Sequence, residues 1–160
     1  MLTLELELTS TSADQTQKLG ERLGSLARVG DVLCLEGDLG AGKTCLVQGL
    51  GRGLKIPNAI HSPTFILANE HRGGRLPLYH LDLYRMRGAG EAMGIGIDDY
   101  LFGDGVCVIE WAEKIKEALP DERLWITFRH VGENERGLAF RANGARYEEL
   151  LNGLKNVIGN

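Results

Sequence analysis

The chain has no long hydrophobic run, and this absence sets the first limit on its class. No stretch approaches the roughly 20 consecutive apolar residues of a membrane-spanning helix, although 43% of the 160 residues are hydrophobic. The sequence also has no internal repeat and no low-complexity linker. A chain of this length is too short for two ordinary domains. We therefore expect a soluble protein with a single domain over residues 1–160.

Cysteines and export signals are equally scarce. The three cysteines, Cys34, Cys45 and Cys107, are odd in number, and no two of them have metal-ligand spacing. The first eight residues alternate apolar and polar side chains without an early basic cluster, which predicts a β-strand and not a signal peptide. Reduced thiols and the lack of a leader both favour a cytoplasmic location.

A basic stripe is missing as well. The formal net charge is −4, and the arginines are scattered along the chain. A protein that grips nucleic acid directly needs clustered basic residues to displace counterions from the phosphates. If this protein serves an RNA, we expect it to do so indirectly.

The most informative stretch that is present joins an apolar run, residues 32–35, to a helix-compatible segment, residues 45–50. It reads Gly37-Asp38-Leu39-Gly40-Ala41-Gly42-Lys43-Thr44. The spacing G-x-x-x-x-G-K-T predicts a phosphate-binding loop, because glycines let successive backbone N–H groups point at a polyphosphate. Lys43 would reach the outer phosphates, and Thr44 would offer its hydroxyl to Mg²⁺ at the positive end of the following helix.

Two later strands end in acids. The apolar run 76–82 ends at Asp82, and the run 106–110 ends at Glu110. Ligands bind at the carboxyl ends of strands in open α/β sheets, so Asp82 is a candidate for positioning metal or water and Glu110 for holding Mg²⁺ beside Thr44. We interpret the neighbouring His80 as structural. Trp111, next to Glu110, either belongs to the core, which we favour, or flanks the nucleotide.

The remaining pattern predicts the surrounding elements. Ser12 and Gln15 form a capping box for a helix that runs through Val29, with Gly30 as its C-cap residue. The helix after the phosphate loop should be broken up by three glycines, Gly49, Gly51 and Gly53.

Further along the chain, residues 72–75 form a hairpin turn, 91–93 and 98–102 short helices, and 124–128 and 138–141 a second hairpin. A last helix carries four large apolar side chains on one side: Tyr147, Leu150, Leu151 and Leu154. The fold class is therefore α/β, a P-loop NTPase core with a largely parallel sheet flanked by helices and antiparallel strands added at its edges.

Four motifs, in this order and at this spacing, resemble the bacterial TsaE family over nearly the whole chain. They are the phosphate loop, Ser62-Pro63-Thr64-Phe65, His80-Leu81-Asp82-Leu83-Tyr84-Arg85 and Ile109-Glu110-Trp111. The resemblance implies a small P-loop ATPase that acts with the TsaB and TsaD proteins in making N6-threonylcarbamoyladenosine at position 37 of tRNAs.

For this sequence the resemblance implies ATP or ADP phosphates on residues 38–44, with Lys43 and Asp82 in catalytic roles and Mg²⁺ held by Thr44 and Glu110. It also places Ser62 and Thr64 near the terminal phosphate, and the segment around Thr11 and Ser12 near the adenine. Cys45 departs from the family pattern, because a second threonine is common at that position.

Three other classes compete with this interpretation. A GTPase would need a guanine-reading N-K-x-D motif and a D-x-x-G switch, and the sequence has neither. A small P-loop kinase remains an alternative, with Arg85 and Arg87 in a lid. A nucleotide-switched binding module, in which hydrolysis is incidental, is the other alternative.

Overall fold

The computed structural model describes residues 3–38, 40–57, 60, 68–87, 89–94 and 96–158. The strands are β1 (Thr3–Ser10), β2 (Val32–Glu36), β3 (Ala68–His71), β4 (Leu78–Asp82), β5 (Val106–Glu110), β6 (Arg123–His130) and β7 (Arg136–Asn143). The helices are α1 (Ala13–Leu26), α2 (Lys43–Gly53), α3 (Ala89–Gly94), α4 (Ile97–Leu101), a 3₁₀ helix (Ala112–Ala118) and α5 (Ala145–Ile158).

The strands form one sheet in the order β1-β7-β6-β2-β5-β4-β3. The four central strands, β6, β2, β5 and β4, are mutually parallel, and both edges are antiparallel. β2 and β5 are apolar at every position before their final glutamate. This composition suits parallel strands that helices cover on both faces. The predicted α/β class with antiparallel edge strands is confirmed.

Two apolar layers enclose this sheet. On one face α1, α2 and α5 cover strand residues such as Leu33, Val108 and Ile126. On the other face α4 and the 3₁₀ helix cover Cys34, Leu81 and neighbouring residues. The predicted hairpins, short helices and apolar side of the last helix are all present. None of the described helices has both the length and the apolar character needed to cross a membrane.

The predicted interruption of the helix after the phosphate loop is wrong. α2 is continuous from Lys43 to Gly53. Gly49 and Gly53 let its backbone lie against that of α1, and Gly51 faces Ile60. A Cβ atom at Gly49 would lie 2.7 Å from the Gln17 carbonyl carbon and would overlap the carbonyl oxygen. Gly20 and Gly24 of α1 face the backbone of α2 in the same way. These glycines therefore serve helix packing, which outweighs their poor helix propensity.

The predicted end of α1 at Val29 is also wrong, although its start is correct. Ser12 is the N-cap and its side chain accepts from the Gln15 N–H at 3.1 Å. The helix ends at Leu26, three residues before the predicted end. At this point two arginines that are distant in sequence donate hydrogen bonds to carbonyl oxygens of the last turn and of the residue after it. Arg75 donates to the Gly24 and Ala27 oxygens, and Arg146 donates to the Leu26 oxygen. Gly30 lies in the turn that follows, with φ of 90°.

The glycine contact between α1 and α2 generates a stability prediction. Replacing Gly49 by Ala should lower the free energy of unfolding by about 3 kcal/mol, because the new methyl group overlaps the α1 backbone. Urea denaturation measures the change. The matched control is Gly90→Ala in α3, where a Cβ would meet nothing within 4 Å and where alanine favours the helix by about 0.5–1 kcal/mol. Equal stability of the two variants would contradict the close helix contact.

Candidate nucleotide site

The phosphate loop lies between the carboxyl end of β2 and the first turn of α2. Gly40 and Gly42 have φ of 77° and 103°, a left-handed region that other residues rarely adopt. Gly42 is the N-cap of α2 and makes no side-chain capping bond. The N-cap glycine has no side chain to accept from the first N–H groups of α2, and these groups, together with the helix dipole, suit an anion.

Lys43 is buried, at 4% exposure, although it carries a charge. Its ammonium donates to the Gly37 carbonyl and lies 3.7 Å from the centre of the Trp111 ring. Burial lowers the pKa of Lys43, and surrounding carboxylates, led by Glu110, limit the fall. A neutral carbonyl and an aromatic ring are weak partners for a buried cation, so the ammonium is poised to exchange them for an anion.

Glu110 and Asp82 lie side by side because β4 and β5 are in parallel register. Asp82 is opposite Glu110, and Glu110 is in turn opposite Leu35, two residues before the phosphate loop begins. The register therefore brings both predicted acids to the phosphate loop. Glu110 lies 28 residues after Asp82 and 66 residues after Thr44 in the sequence. The carboxyl ends of parallel strands are where α/β sheets bind ligands.

Thr44 and Glu110 form the pair that fits a divalent cation. The Thr44 hydroxyl donates to Glu110 Oε1 at 3.4 Å, close to the separation of about 3 Å between adjacent oxygen ligands of Mg²⁺. No cluster of three or more metal-ligating side chains occurs within the described residues. Mg²⁺ typically takes only one or two protein ligands and completes its shell with phosphates and water, so this pair suits it.

Asp82 is half-buried at the same edge. Its Oδ1 accepts a hydrogen bond from the Tyr84 N–H at 3.0 Å, which fixes the carboxylate at the rim of the cleft. Burial raises the pKa of Asp82; the Tyr84 hydrogen bond opposes this rise, and the charge of Glu110 adds to it. The result is a carboxylate that accepts a proton more readily than an ordinary aspartate does.

A cleft of about 380 Å³ unites these groups. It is lined by Gly40, Gly42, Lys43, Thr44, Cys45, Asp82, Tyr84, Glu110 and Trp111. Asp38 is exposed at the start of the loop, and its carbonyl accepts from the Ala41 N–H at 3.1 Å. The other cysteines, Cys34 and Cys107, are buried free thiols, as predicted.

Three predicted positions cannot be compared with this geometry. Leu39, Ser62 and Thr64 lie outside the described residues. The adenine prediction for Thr11 and Ser12 is also untested; Ser12 is engaged as the α1 N-cap.

Two neighbours of Glu110 contact the site more directly than their favoured interpretations predict. Trp111, interpreted as core, is half-buried and forms a wall of the cleft, with its ring centre 5.1 Å from that of Tyr84. His80, interpreted as structural, contacts Glu110 directly, with His80 Nε2 2.6 Å from Glu110 Oε2. The place of Trp111 in the cleft is that of the alternative in which it flanks the nucleotide, which its position directly after Glu110 suggested.

Arg136 was not predicted to take part at all. Its guanidinium donates to the Gly40 carbonyl at 3.3 Å, from the start of β7. Only the three-dimensional structure shows this contact, because 96 residues separate the two groups.

Comparisons with known proteins show to which family the chain belongs. The family profile described as "Threonylcarbamoyl adenosine biosynthesis protein TsaE" matches residues 10–138. The chain is 44% identical to the tRNA threonylcarbamoyladenosine biosynthesis protein TsaE of Bacillus subtilis, covering 91% of each chain. It is 41% identical to the TsaE protein of Treponema pallidum, covering 82% of this chain and 96% of that one.

A solved structure extends the likeness to the fold. The crystal structure of Bacillus subtilis YdiB superposes with a TM-score of 0.84 at 39% identity and covers 98% of both chains. With a family profile over most of its length, relatives above 40% identity and a matching structure, this chain belongs to the TsaE family.

Proposed function

We propose that the protein is a Mg²⁺-dependent ATPase of the TsaE type that supports a TsaB–TsaD complex in forming N6-threonylcarbamoyladenosine on tRNA. The observation that carries this proposal is the meeting of Lys43, Thr44, Asp82 and Glu110 in one cleft beside the phosphate loop. Each of these side chains is of the type that phosphoryl transfer requires. The family membership adds the pathway, since the relatives are named for threonylcarbamoyladenosine biosynthesis.

Binding of the phosphates would use the loop and one charge. The backbone N–H groups over residues 38–44 would cradle the anion, and the Lys43 ammonium would leave Gly37 and Trp111 for the outer phosphates. Thr44 and Glu110 would hold Mg²⁺, which supplies positive charge against the phosphate oxygens. The close approach of the Thr44 hydroxyl to Glu110 Oε1 supports this pairing.

Asp82 would orient the attacking water. Its carboxylate lies beside Glu110 at the rim of the cleft and keeps its orientation through the Tyr84 N–H. A carboxylate in this place accepts a hydrogen bond from water and can take up its proton. Its raised pKa brings it closer to the pH at which proton transfer is efficient.

The partner surface would lie around the segment after β4. Tyr84 is 45% exposed although it stacks on Trp111 at the cleft, and Arg85 and Arg87 are exposed beside it. The Lys114 ammonium donates to the Tyr84 and Met86 carbonyls and ties this segment to the 3₁₀ helix. Exchange of ATP for ADP in the cleft would therefore affect the exposed surface around Tyr84 through the contact between the Trp111 and Tyr84 rings. A net charge of −4 supports contact with tRNA through partner proteins only.

Lys43→Ala tests the ATPase assignment. We expect hydrolysis to fall at least about hundredfold, because a charge aimed at the transferring phosphate is lost. The unfolding midpoint should stay within about 4 °C of wild type, the shift that ~1 kcal/mol produces in a domain of this size. Single-turnover ATP hydrolysis measures the effect, and exposed Lys18→Ala is the control. Normal hydrolysis by folded Lys43→Ala would contradict the assignment, and transfer of phosphate to a small acceptor would favour the kinase alternative.

We expect Glu110→Gln and Asp82→Asn to impair ATP hydrolysis in different ways. Glu110→Gln should raise the Mg²⁺ concentration for half-maximal hydrolysis at least about tenfold, because a metal ligand loses its charge. Asp82→Asn should lower hydrolysis about 10²–10⁴-fold while nucleotide and Mg²⁺ still bind. Because Asp82 acts as a carboxylate, wild-type hydrolysis should decline as the pH falls through the raised pKa of Asp82, above the ordinary aspartate value of about 3.9.

Titrations of Mg²⁺ and pH on both variants measure these differences. The residual hydrolysis of Asp82→Asn should lack the decline at low pH. The reverse ranking in Mg²⁺ dependence would make Asp82 the metal residue and Glu110 the group that orients water.

Tyr84→Ala should weaken assembly with a TsaB–TsaD complex about tenfold or more, the effect of losing an aromatic anchor worth ~1.4 kcal/mol. ATP affinity should change less. The measurement is a pull-down at matched nucleotide occupancy, with threonylcarbamoyladenosine formation on tRNA as a second readout. The control is Phe102→Ala, another exposed aromatic, 72% accessible, at the opposite end of the parallel strands. Unchanged assembly, or tight tRNA binding by the isolated protein at physiological salt, would contradict the partner proposal.

A further inference from the structure

His80 is the most deeply buried polar side chain next to the site. It lies two residues before Asp82 on β4, on the same face of the sheet, and its side chain is 0% exposed. Its Nε2 is 2.6 Å from Glu110 Oε2, and the Glu110 side chain is itself 4% exposed. A short hydrogen bond between two buried polar groups is strong because water does not compete for either partner.

The two oxygens of the Glu110 carboxylate have different neighbours. Oε2 contacts His80, and Oε1 accepts from the Thr44 hydroxyl. Rotation of the carboxylate would exchange or break both contacts. The His80 hydrogen bond therefore holds one oxygen and fixes the carboxylate plane so that the other oxygen faces Thr44 and the cleft.

An alternative partner for Glu110 is close by. Of the carboxylates around Lys43, Glu110 most strongly opposes the lowering of the Lys43 pKa by burial. A Glu110 side chain free to turn would be attracted by that ammonium. An ion pair between them would occupy the two groups that the proposed function assigns to metal and phosphate.

His80 is a poor choice for a purely structural position. Its Nδ1 is buried and has no hydrogen-bond partner in the part of the chain that the structure describes. The tautomer with the proton on Nε2 lets His80 donate to Glu110 and leaves Nδ1 as an unpaired acceptor. An unpaired buried acceptor lowers stability, whereas an apolar side chain of similar size would fill the space without that loss.

We propose that His80 is a positioning residue, which holds the Glu110 carboxylate with Oε1 toward Thr44 and away from Lys43 so that the pair can receive Mg²⁺. This inference rests on the proposed function, because it concerns the same metal and nucleotide. It assigns to His80 a role that neither its burial nor its place in the sequence indicates. Outer partners of metal ligands typically influence metal affinity 10–100-fold.

The experiment compares His80→Leu with His80→Gln. Leucine fills the site but cannot donate, whereas the glutamine amide carries an N–H near the place of Nε2. The control is Leu78→Val, two residues earlier on the same strand and face, which disturbs the core without touching Glu110. Calorimetry measures Mg²⁺ affinity in the presence of a non-hydrolysable ATP analogue, analogue affinity without Mg²⁺, and the unfolding midpoint.

We expect His80→Leu to lose at least about tenfold in Mg²⁺ affinity, with His80→Gln within about threefold of wild type and Leu78→Val unchanged in Mg²⁺ affinity. If His80→Leu does not fold, His80→Asn replaces it, because its amide is one methylene too short to reach Glu110 and the same loss is expected. Mg²⁺ affinity of His80→Leu or His80→Asn equal to that of Leu78→Val would overturn the positioning role and leave the proposed function intact. Wild-type protein that binds the analogue without any Mg²⁺ dependence would overturn both.

Discussion

The parallel register of three central strands is the constraint on which the site depends. Leu35, Glu110 and Asp82 form one row across β2, β5 and β4, so the strand ends cannot shift relative to one another without breaking the sheet ladder. A slip of one residue on β5 would turn Glu110 to the opposite face and place Ile109 beside Thr44. The apolar residues that precede Asp82 and Glu110 are fully buried. They stabilise this register because each of them packs in the apolar layer on one particular face of the sheet.

Local signals made much of this molecule predictable. The phosphate loop, the acids at two strand ends and the N-cap at Ser12 depend on residues close in sequence, and all of them are found where the sequence placed them. The Gln15 side chain accepts from the Thr11 N–H instead of the Ser12 N–H of a standard capping box. The fold class followed from the same signals, because continuous apolar runs predict covered parallel strands. The position of Asp82 beside Glu110 followed from the rule that parallel strands end at a common edge.

The predictions that failed depend on distant contacts. α1 ends early because Arg75 and Arg146, far away in the sequence, take its last carbonyls. The α2 glycines do not interrupt the helix; the α1 backbone occupies the space beside Gly49 and Gly53, and Ile60 occupies the space beside Gly51. The bonds from His80 to Glu110 and from Arg136 to Gly40 likewise join separate elements. Residue spacing predicts which strand ends meet at one edge of the sheet, but the individual side-chain contacts between separate elements depend on packing.

The site itself is electrostatically unfavourable without a ligand. Burial raises the pKa of Asp82 and of Glu113 and lowers that of Lys43, so each of these groups resists its charged form. Glu113 Oε1 has no hydrogen-bond partner among the described residues. Perturbed pKa values of this kind are expected at functional sites, where charged groups are placed to bind a ligand and not to stabilise the fold. In the proposed function, a cation beside the carboxylates and a phosphate beside the lysine would stabilise these charged groups.

The pairing of β1 with β7 has a consequence for the order of events during synthesis. Thr3 pairs with Asn143, so β1 has no neighbour in the sheet until β7, more than 100 residues later in the sequence, has been synthesised. During that interval Leu4, Leu6 and Leu8 would form an exposed apolar row on an unpaired strand, which is the kind of segment that aggregates. Glu5 and Glu7 alternate with these leucines and place negative charge on the same strand. Charges placed along an aggregation-prone strand oppose self-association, so Glu5 and Glu7 would lower this risk until β7 is available to pair with β1.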